Sequence, residues 1–231
     1  MSHYCVAVFS NTGSSDAFDE LLAPYSEIDE SYYEFIPTEK DVNALYAEFK
    51  EKNPESTASL EEYLADSRNY IQEDGVWGYR RNPNAKWDWY TLDGKDYLYN
   101  TKEGEGLGDE CFYRKSQIDF SDYDVEKDGI FWDWYVDGKP LPDGVEMREP
   151  WYKREYYLER YGTKEQYLKE SASKAPYAYV TPDGVWHAPG DVGWFGVSDE
   201  TAEAMNAHID EWKAFLASAE DPYVSFVDCH I

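Results

Sequence analysis

Cysteine is scarce in this chain, and basic residues are outnumbered. Cys5, Cys111 and Cys229 form an odd set without paired spacing, which argues against a disulfide framework and fits a reducing compartment. No apolar run reaches the roughly 20 residues of a membrane span. The segment Met1 to Ser10 lacks the basic start and long apolar core of a secretory signal, so a cytoplasmic location is expected. Lys and Arg number 21 against 48 Asp and Glu, a formal charge of -27. Nucleic-acid binders release counterions from phosphates with a basic surface. This chain's field repels a phosphate backbone, which argues against direct DNA or RNA binding and for attraction to basic surfaces. Phosphate-binding glycine loops, the Gly-x-Ser-x-Gly elbow, His-Glu-x-x-His and the dinucleotide fingerprint are all missing, and no cofactor is expected.

What is present is a globular composition. Hydrophobic residues make up 42% of the 231 and aromatics 18%, too many for a disordered acidic segment. His3 to Phe9 reads as a strand with His3, Cys5, Ala7 and Phe9 on one face and Tyr4, Val6 and Val8 on the other. Asp16 to Leu22 reads as a short helix. Thr38 with Asp41 resembles a capping box before a helix through Val42, Leu45, Tyr46 and Phe49, and a second helix is expected from Thr57 to Gln72. From Gly75 to Gly138 no helical period stands out. Trp87-Asp-Trp-Tyr90 with Asp93-Gly-Lys95, and Trp132-Asp-Trp-Tyr135 with Asp137-Gly-Lys139, read as two β-hairpins of similar design. A very aromatic helix follows Pro150, and Thr163 with Gln166 resembles another capping box. Tyr177 to His187 forms a hairpin around Pro182-Asp-Gly184, and Val192 to Val197 forms a short strand. Ser198 caps a long helix bearing Met205, Ile209, Trp212, Phe215 and Leu216, and Tyr223 to His230 closes as a strand.

These elements predict an α+β fold with a mostly antiparallel sheet, adjacent N- and C-terminal strands, several hairpins and about five or six helices. One domain is expected over residues 1–231, with a change of character near residue 75 where a subdomain would begin.

Several pieces in chain order carry a resemblance: Met1-Ser-His-Tyr4, Leu22-Ala-Pro-Tyr25, Asn82-Pro-Asn-Ala-Lys-Trp-Asp-Trp-Tyr90, Thr181-Pro-Asp-Gly-Val-Trp-His187, Gly193-Trp-Phe-Gly196 and Val227-Asp-Cys-His-Ile231. Together they resemble a family of phage, prophage and bacterial proteins that has no assigned activity. The resemblance implies a phage-associated setting in the host cytoplasm. Asp93-Gly-Lys-Asp96 stands where that family has a Gly-Gly-Arg-Trp-like turn, so a role carried by that arginine does not transfer.

Three places offer chemistry. Adjacent termini would gather His3, Cys5, Asp228, Cys229 and His230, which are ligand types for a transition metal or the makings of a Cys-His nucleophile. Cys229 and His230 alternate on a strand, and no paired metal-ligand spacing occurs, so packing is the simpler reading. The run Asp122, Asp124, Glu126, Asp128 has oxygen ligands at alternating positions, but Tyr135 stands where a calcium-binding EF-hand needs Glu. The run also precedes an expected strand and not a helix, so a solvated hairpin loop is the simpler reading there. Trp87, Trp89, Tyr90, Trp132, Trp134, Trp186 and Trp194, with His187, are either core or the wall of a pocket for a flat ring. Arg80, Arg81 and Lys86 are a basic cluster that would either meet a phosphate or balance nearby carboxylates. His208 reads as a buried, hydrogen-bonded histidine.

The leading expectation is a non-enzymatic, phage-type accessory protein that antagonises host defence. It would sequester a small nucleotide-like signal in an aromatic pocket. One alternative is an acidic decoy, a DNA mimic that occupies a basic surface of a host protein. Another is a nucleotide hydrolase using a metal or the terminal Cys/His residues.

Overall fold

The computed structural model describes residues 3–92, 99–105, 107, 112–192 and 198–231. They contain seven α-helices and eleven short strands in mostly antiparallel sheets, the expected α+β class. The chain divides into two compact units, Met1–Leu22 with Trp89–Ile231, and Ala23–Asp88. No described helix is long and apolar enough to cross a membrane.

In the larger unit, β1 (His3–Ser10) and β11 (Tyr223–His230) pair antiparallel along their whole length, as expected of adjacent termini. β9 (Ala178–Val180) joins β1 in parallel, β10 (Trp186–His187) folds back on β9, and β5 (Trp89–Thr91) lies antiparallel to β11. The order is therefore β10-β9-β1-β11-β5, with β7 (Tyr113–Arg114) on the far end of β11. A separate ribbon pairs β6 (Asn100–Thr101) with β8 (Ile118–Asp119). Val6, Ala7, Val8 and Phe9 are all fully buried, which requires cover on both faces of β1. On one face Ala7, Phe9, Val224 and Phe226 pack with Tyr179 and with Trp212 of α7 (Ala202–Leu216). Against β1 also packs α1 (Ser15–Leu22), through buried Phe18 and Leu22. Each such side chain contributes about 1.5–3 kcal/mol on burial.

A second aromatic core joins α4 (Glu126–Phe131), α5 (Arg154–Tyr161) and α6 (Lys164–Ala172) around Trp132, Val136 and Tyr167. Here the second hairpin expectation fails, because Trp132–Val136 continues α4 as a π-helical turn. Phe131, Trp132, Tyr135 and Val136 recur at helical spacing and bury one stripe, which outweighs the strand-like alternation of the two tryptophans. Gly138, at φ 73°, follows this helix where a hairpin turn was expected. The helix after Pro150 begins only at Arg154. Tyr135 donates to the Tyr152 carbonyl and Arg154 to that of Val136, tying residues 152–154 to the π-helical turn. Thr163 caps α6 by accepting from the Gln166 amide, but its own amide donates to the Tyr161 carbonyl at 2.7 Å, so only half of the expected capping box forms. The cap of α7 is Thr201, not Ser198, because Thr201 lies the right distance from the Ala204 amide. Ser198 instead bonds the Tyr177 hydroxyl at 2.6 Å.

In the smaller unit, β2 (Glu34–Pro37), β3 (Ile71–Glu73) and β4 (Val76–Arg81) form a sheet of order β2-β4-β3. Gly78 is required there, since a Cβ would stand 2.3 Å from the Ile36 carbonyl oxygen. α2 (Val42–Lys52) is capped by Asp41, which accepts from the Asn43 and Ala44 amides. Thr38 bonds Lys40 instead, so the expected capping box is absent. α3 (Leu60–Arg68) carries a full capping box from Ser59 and Glu62. It stops well before Gln72 because Asn69 turns left-handed at φ 53° and sends Ile71 into β3. Tyr46, Phe49 and Tyr63 stack between the two helices.

The turn at Asp93-Gly-Lys95, Cys111, Trp194 and most of the expected strand from Val192 to Val197 lie outside the described residues. Val192 makes an isolated bridge to Ser198.

Candidate functional site

The β1–β11 register places His3 opposite His230 and Cys5 opposite Asp228, so all four share one sheet face. β5 adds Trp89 opposite His230 on that face. The His230 ring stacks on Trp89 at 4.9 Å and 17°, and His3 meets both rings edge-on. His3 Nδ1 lies 3.0 Å from an Asp228 carboxylate oxygen. A carboxylate only accepts, so Nδ1 is the donor in this bond. His3, Asp228 and Trp89 are about half exposed, while His230 is buried.

Cys229 takes no part in a Cys-His nucleophile at this corner. Cys229 and Tyr90 face the opposite side, where Cys229 is fully buried. Burial, then the Asp228 charge, pushes its thiol far above the ordinary range, so no thiolate forms near neutral pH. Tyr90 donates to Asp19 of α1, and burial with that bond raises its hydroxyl pKa. Among the described residues no group of three His, Cys, Asp or Glu is placed to hold a metal ion, either here or in the run Asp122 to Asp128.

At the opposite edge of the sheet lies an open cleft of about 1010 Å³. Its walls come from the β9–β10 turn (Thr181, Asp183, Val185), His187, Asn11 after β1, Arg114 of β7, Phe215 of α7, and the stretch Glu220 to Pro222. The expected hairpin positions His187, with Gly184 at φ 84° closing its turn. His187 stacks on buried Tyr179 at 4.5 Å and 5°. Burial, then the Glu211 charge, raises the Tyr179 hydroxyl pKa to about 12, so the stacking partner stays neutral. The His187 ring also lies 3.4 Å from the Thr181 hydroxyl and 3.9 Å from Glu211. Thr181 donates to Asp183 at 2.6 Å. Arg114 lies over the Tyr223 ring at 3.8 Å and donates to the Asp221 carbonyl.

Within the larger unit, the aromatic residues singled out in the sequence do not gather at one place. Trp89 and His187 sit on the two edge strands, four strand spacings apart, or roughly 19 Å. Trp186 points to the face opposite His187. In the smaller unit Arg80 and Arg81 are consecutive strand residues and project to opposite faces. Arg80 pairs with Glu73 at 2.7 Å and Arg81 covers Tyr79. Lys86 lies in the loop after β4, its amide bonded to the Tyr25 carbonyl, and Trp87 is buried. Trp132 and Trp134 belong to the helical segment. His208 is buried and donates to the Pro176 carbonyl at 2.9 Å, as expected of a packing histidine, and burial lowers its pKa.

Arg114, Asn11 and Phe215 were not foreseen as site residues. The only local sign of this cleft was the Pro182-Asp-Gly184 turn leading to His187. Set against known proteins, the chain matches no family model, no curated protein and no solved structure.

Proposed function

We propose that this protein is a non-enzymatic binder that holds a small nucleotide-like molecule in the cleft beside His187. The observation that carries this reading is the cleft itself. Its volume is at the upper end of small-molecule sites, and its wall combines two rings, His187 and Phe215, with the hydrogen-bonding groups of Asn11, Thr181 and Arg114. Flat rings pack against such walls, and a few polar groups then fix orientation. The ring stack on Tyr179 holds His187 in place before any ligand arrives. The resemblance to phage and prophage proteins supplies the setting, in which sequestering a signal molecule antagonises host defence.

A thermal-shift screen with nucleosides, ADP-ribose and cyclic dinucleotides tests the reading. At 100 times its Kd a true ligand adds about 2.7 kcal/mol to stability. The expected result is a rise in Tm with at least one compound, lost in H187A. No rise with any compound, or a rise that survives in H187A, overturns it.

A second reading, an acidic protein that occupies a basic surface of a host protein, is favoured by one exposed patch. Trp151 is 95% exposed and adjoins Tyr152 in the chain, whose ring stacks on exposed Tyr156 at 4.2 Å. Exposed Trp and Tyr are the residues that anchor protein interfaces. This reading expects salt-sensitive capture of a basic protein, reduced at least tenfold by W151A.

A further inference from the structure

We infer, resting on the cleft reading above, that the cleft takes the uncharged or cationic nucleoside part of its ligand and disfavours a phosphate. Its wall carries three carboxylates, Asp183, Glu220 and Asp221, against one guanidinium, Arg114. The two aspartates stay ionised. The Thr181 hydroxyl holds the Asp183 carboxyl below the ordinary carboxylate range. Burial pushes Asp221 up, but bonds from the Ser116 amide and hydroxyl and the Arg114 charge outweigh it and hold its carboxyl low.

Arg114 does not present an open anion fork. It is spread over Tyr223 and bonded to the Asp221 carbonyl beside that residue's carboxylate. The neighbouring cation Lys115 is buried and directs its Nζ to the Leu216 and Ser218 carbonyls. A protonated His187 would be offset by Glu211 at 3.9 Å. The chain's charge of -27 adds a repulsive field at longer range. Carboxylates accept hydrogen bonds, so they suit the vicinal hydroxyls of a ribose, and they repel a phosphate at the same distance. The wall therefore fits a nucleobase on the His187 and Phe215 side with sugar hydroxyls toward the acids.

Calorimetric titration of the full chain with the four ribonucleosides and their 5′-monophosphates, at low and high salt, tests this. The expected result is a nucleoside that binds at least tenfold more tightly than its monophosphate at low salt. The ratio should shrink toward one near 1 M salt, where the screening length falls to about 3 Å. D183N and E220Q should each narrow the ratio by improving the monophosphate. A monophosphate that binds as tightly as its nucleoside, or more so, overturns the inference and leaves the cleft as a ligand site. If neither compound of any pair binds, this inference falls, whereas the cleft reading stands or falls with the thermal-shift screen.

Discussion

The tetrapeptide Trp-Asp-Trp-Tyr occurs twice in this chain and adopts two different structures. In the copy at 87–90, Trp89 and Tyr90 open a strand at the edge of the large sheet, and Trp89 is 43% exposed. In the copy at 132–135 the same residues form a π-helical turn, and Trp132 is 2% exposed. The Asp-Gly that follows the second copy ends a helix there and does not turn a hairpin. What separates the copies is their flanks. Acidic Glu126 and Asp128 occupy the first turn of α4, where the helix dipole favours them, and Phe131 and Val136 extend the apolar stripe. The first copy finds its partner in β11, a segment more than a hundred residues away. Four residues do not decide between periods of two and 3.6; their neighbours and partners do.

The comparison can be broken most directly at its tryptophans. W132A should cost about 3–5 kcal/mol, since it empties a buried site packed against Tyr167. W89A should cost only about 0.5–1.5 kcal/mol, the worth of a half-exposed ring stack. Urea midpoints of the two variants measure both, and equal losses would contradict the assignment of Trp132 to a core and Trp89 to a sheet edge.

Y90F removes the hydroxyl that bonds Asp19 and should cost about 1 kcal/mol at neutral pH. The folded pKa of Tyr90 is raised above 10, first by burial and then by that bond. Its contribution is therefore complete below pH 10 and is lost as pH rises beyond it. Stability of the native protein should fall more steeply above pH 10 than that of Y90F, which an alkaline series of melts would resolve.

The smallest effect should come from D133N. Asp133 is solvent-facing and pairs with Lys139 and Lys164 at 2.8 Å, and those bonds lower its carboxyl pKa. Its contribution should be present above the ordinary carboxylate range, lost as pH falls through the lowered value, and weakened by salt. A loss in D133N as large as that in Y90F would show that the helical copy depends on these pairs and not on its buried stripe.

Much of the frame was legible because it is written in local patterns. The alternation in His3 to Phe9, the period of α7 and the Pro182-Asp-Gly184 turn each carry their own physical cause. Helix starts were less legible, since Ser198 and Thr201 are equally good caps by type and only distance to an amide separates them. The terminal corner was half foreseen. Pairing of the chain ends gave His3, Asp228 and His230 one face, but Trp89 joins them only through β5, whose partner no local pattern names. The basic cluster misled for the opposite reason. Arg80 and Arg81 are neighbours in sequence, and a strand separates neighbours. The cleft beside His187 was barely legible, because its walls come from loops that only the fold gathers.

A structure of the protein crystallised with the tightest-binding nucleoside tests the central claim most directly. Density for the base is expected against His187 and Phe215, with the ribose hydroxyls toward Asp183 and Glu220. Density at the His3, Trp89 and His230 corner instead, with the cleft filled only by solvent, would contradict it.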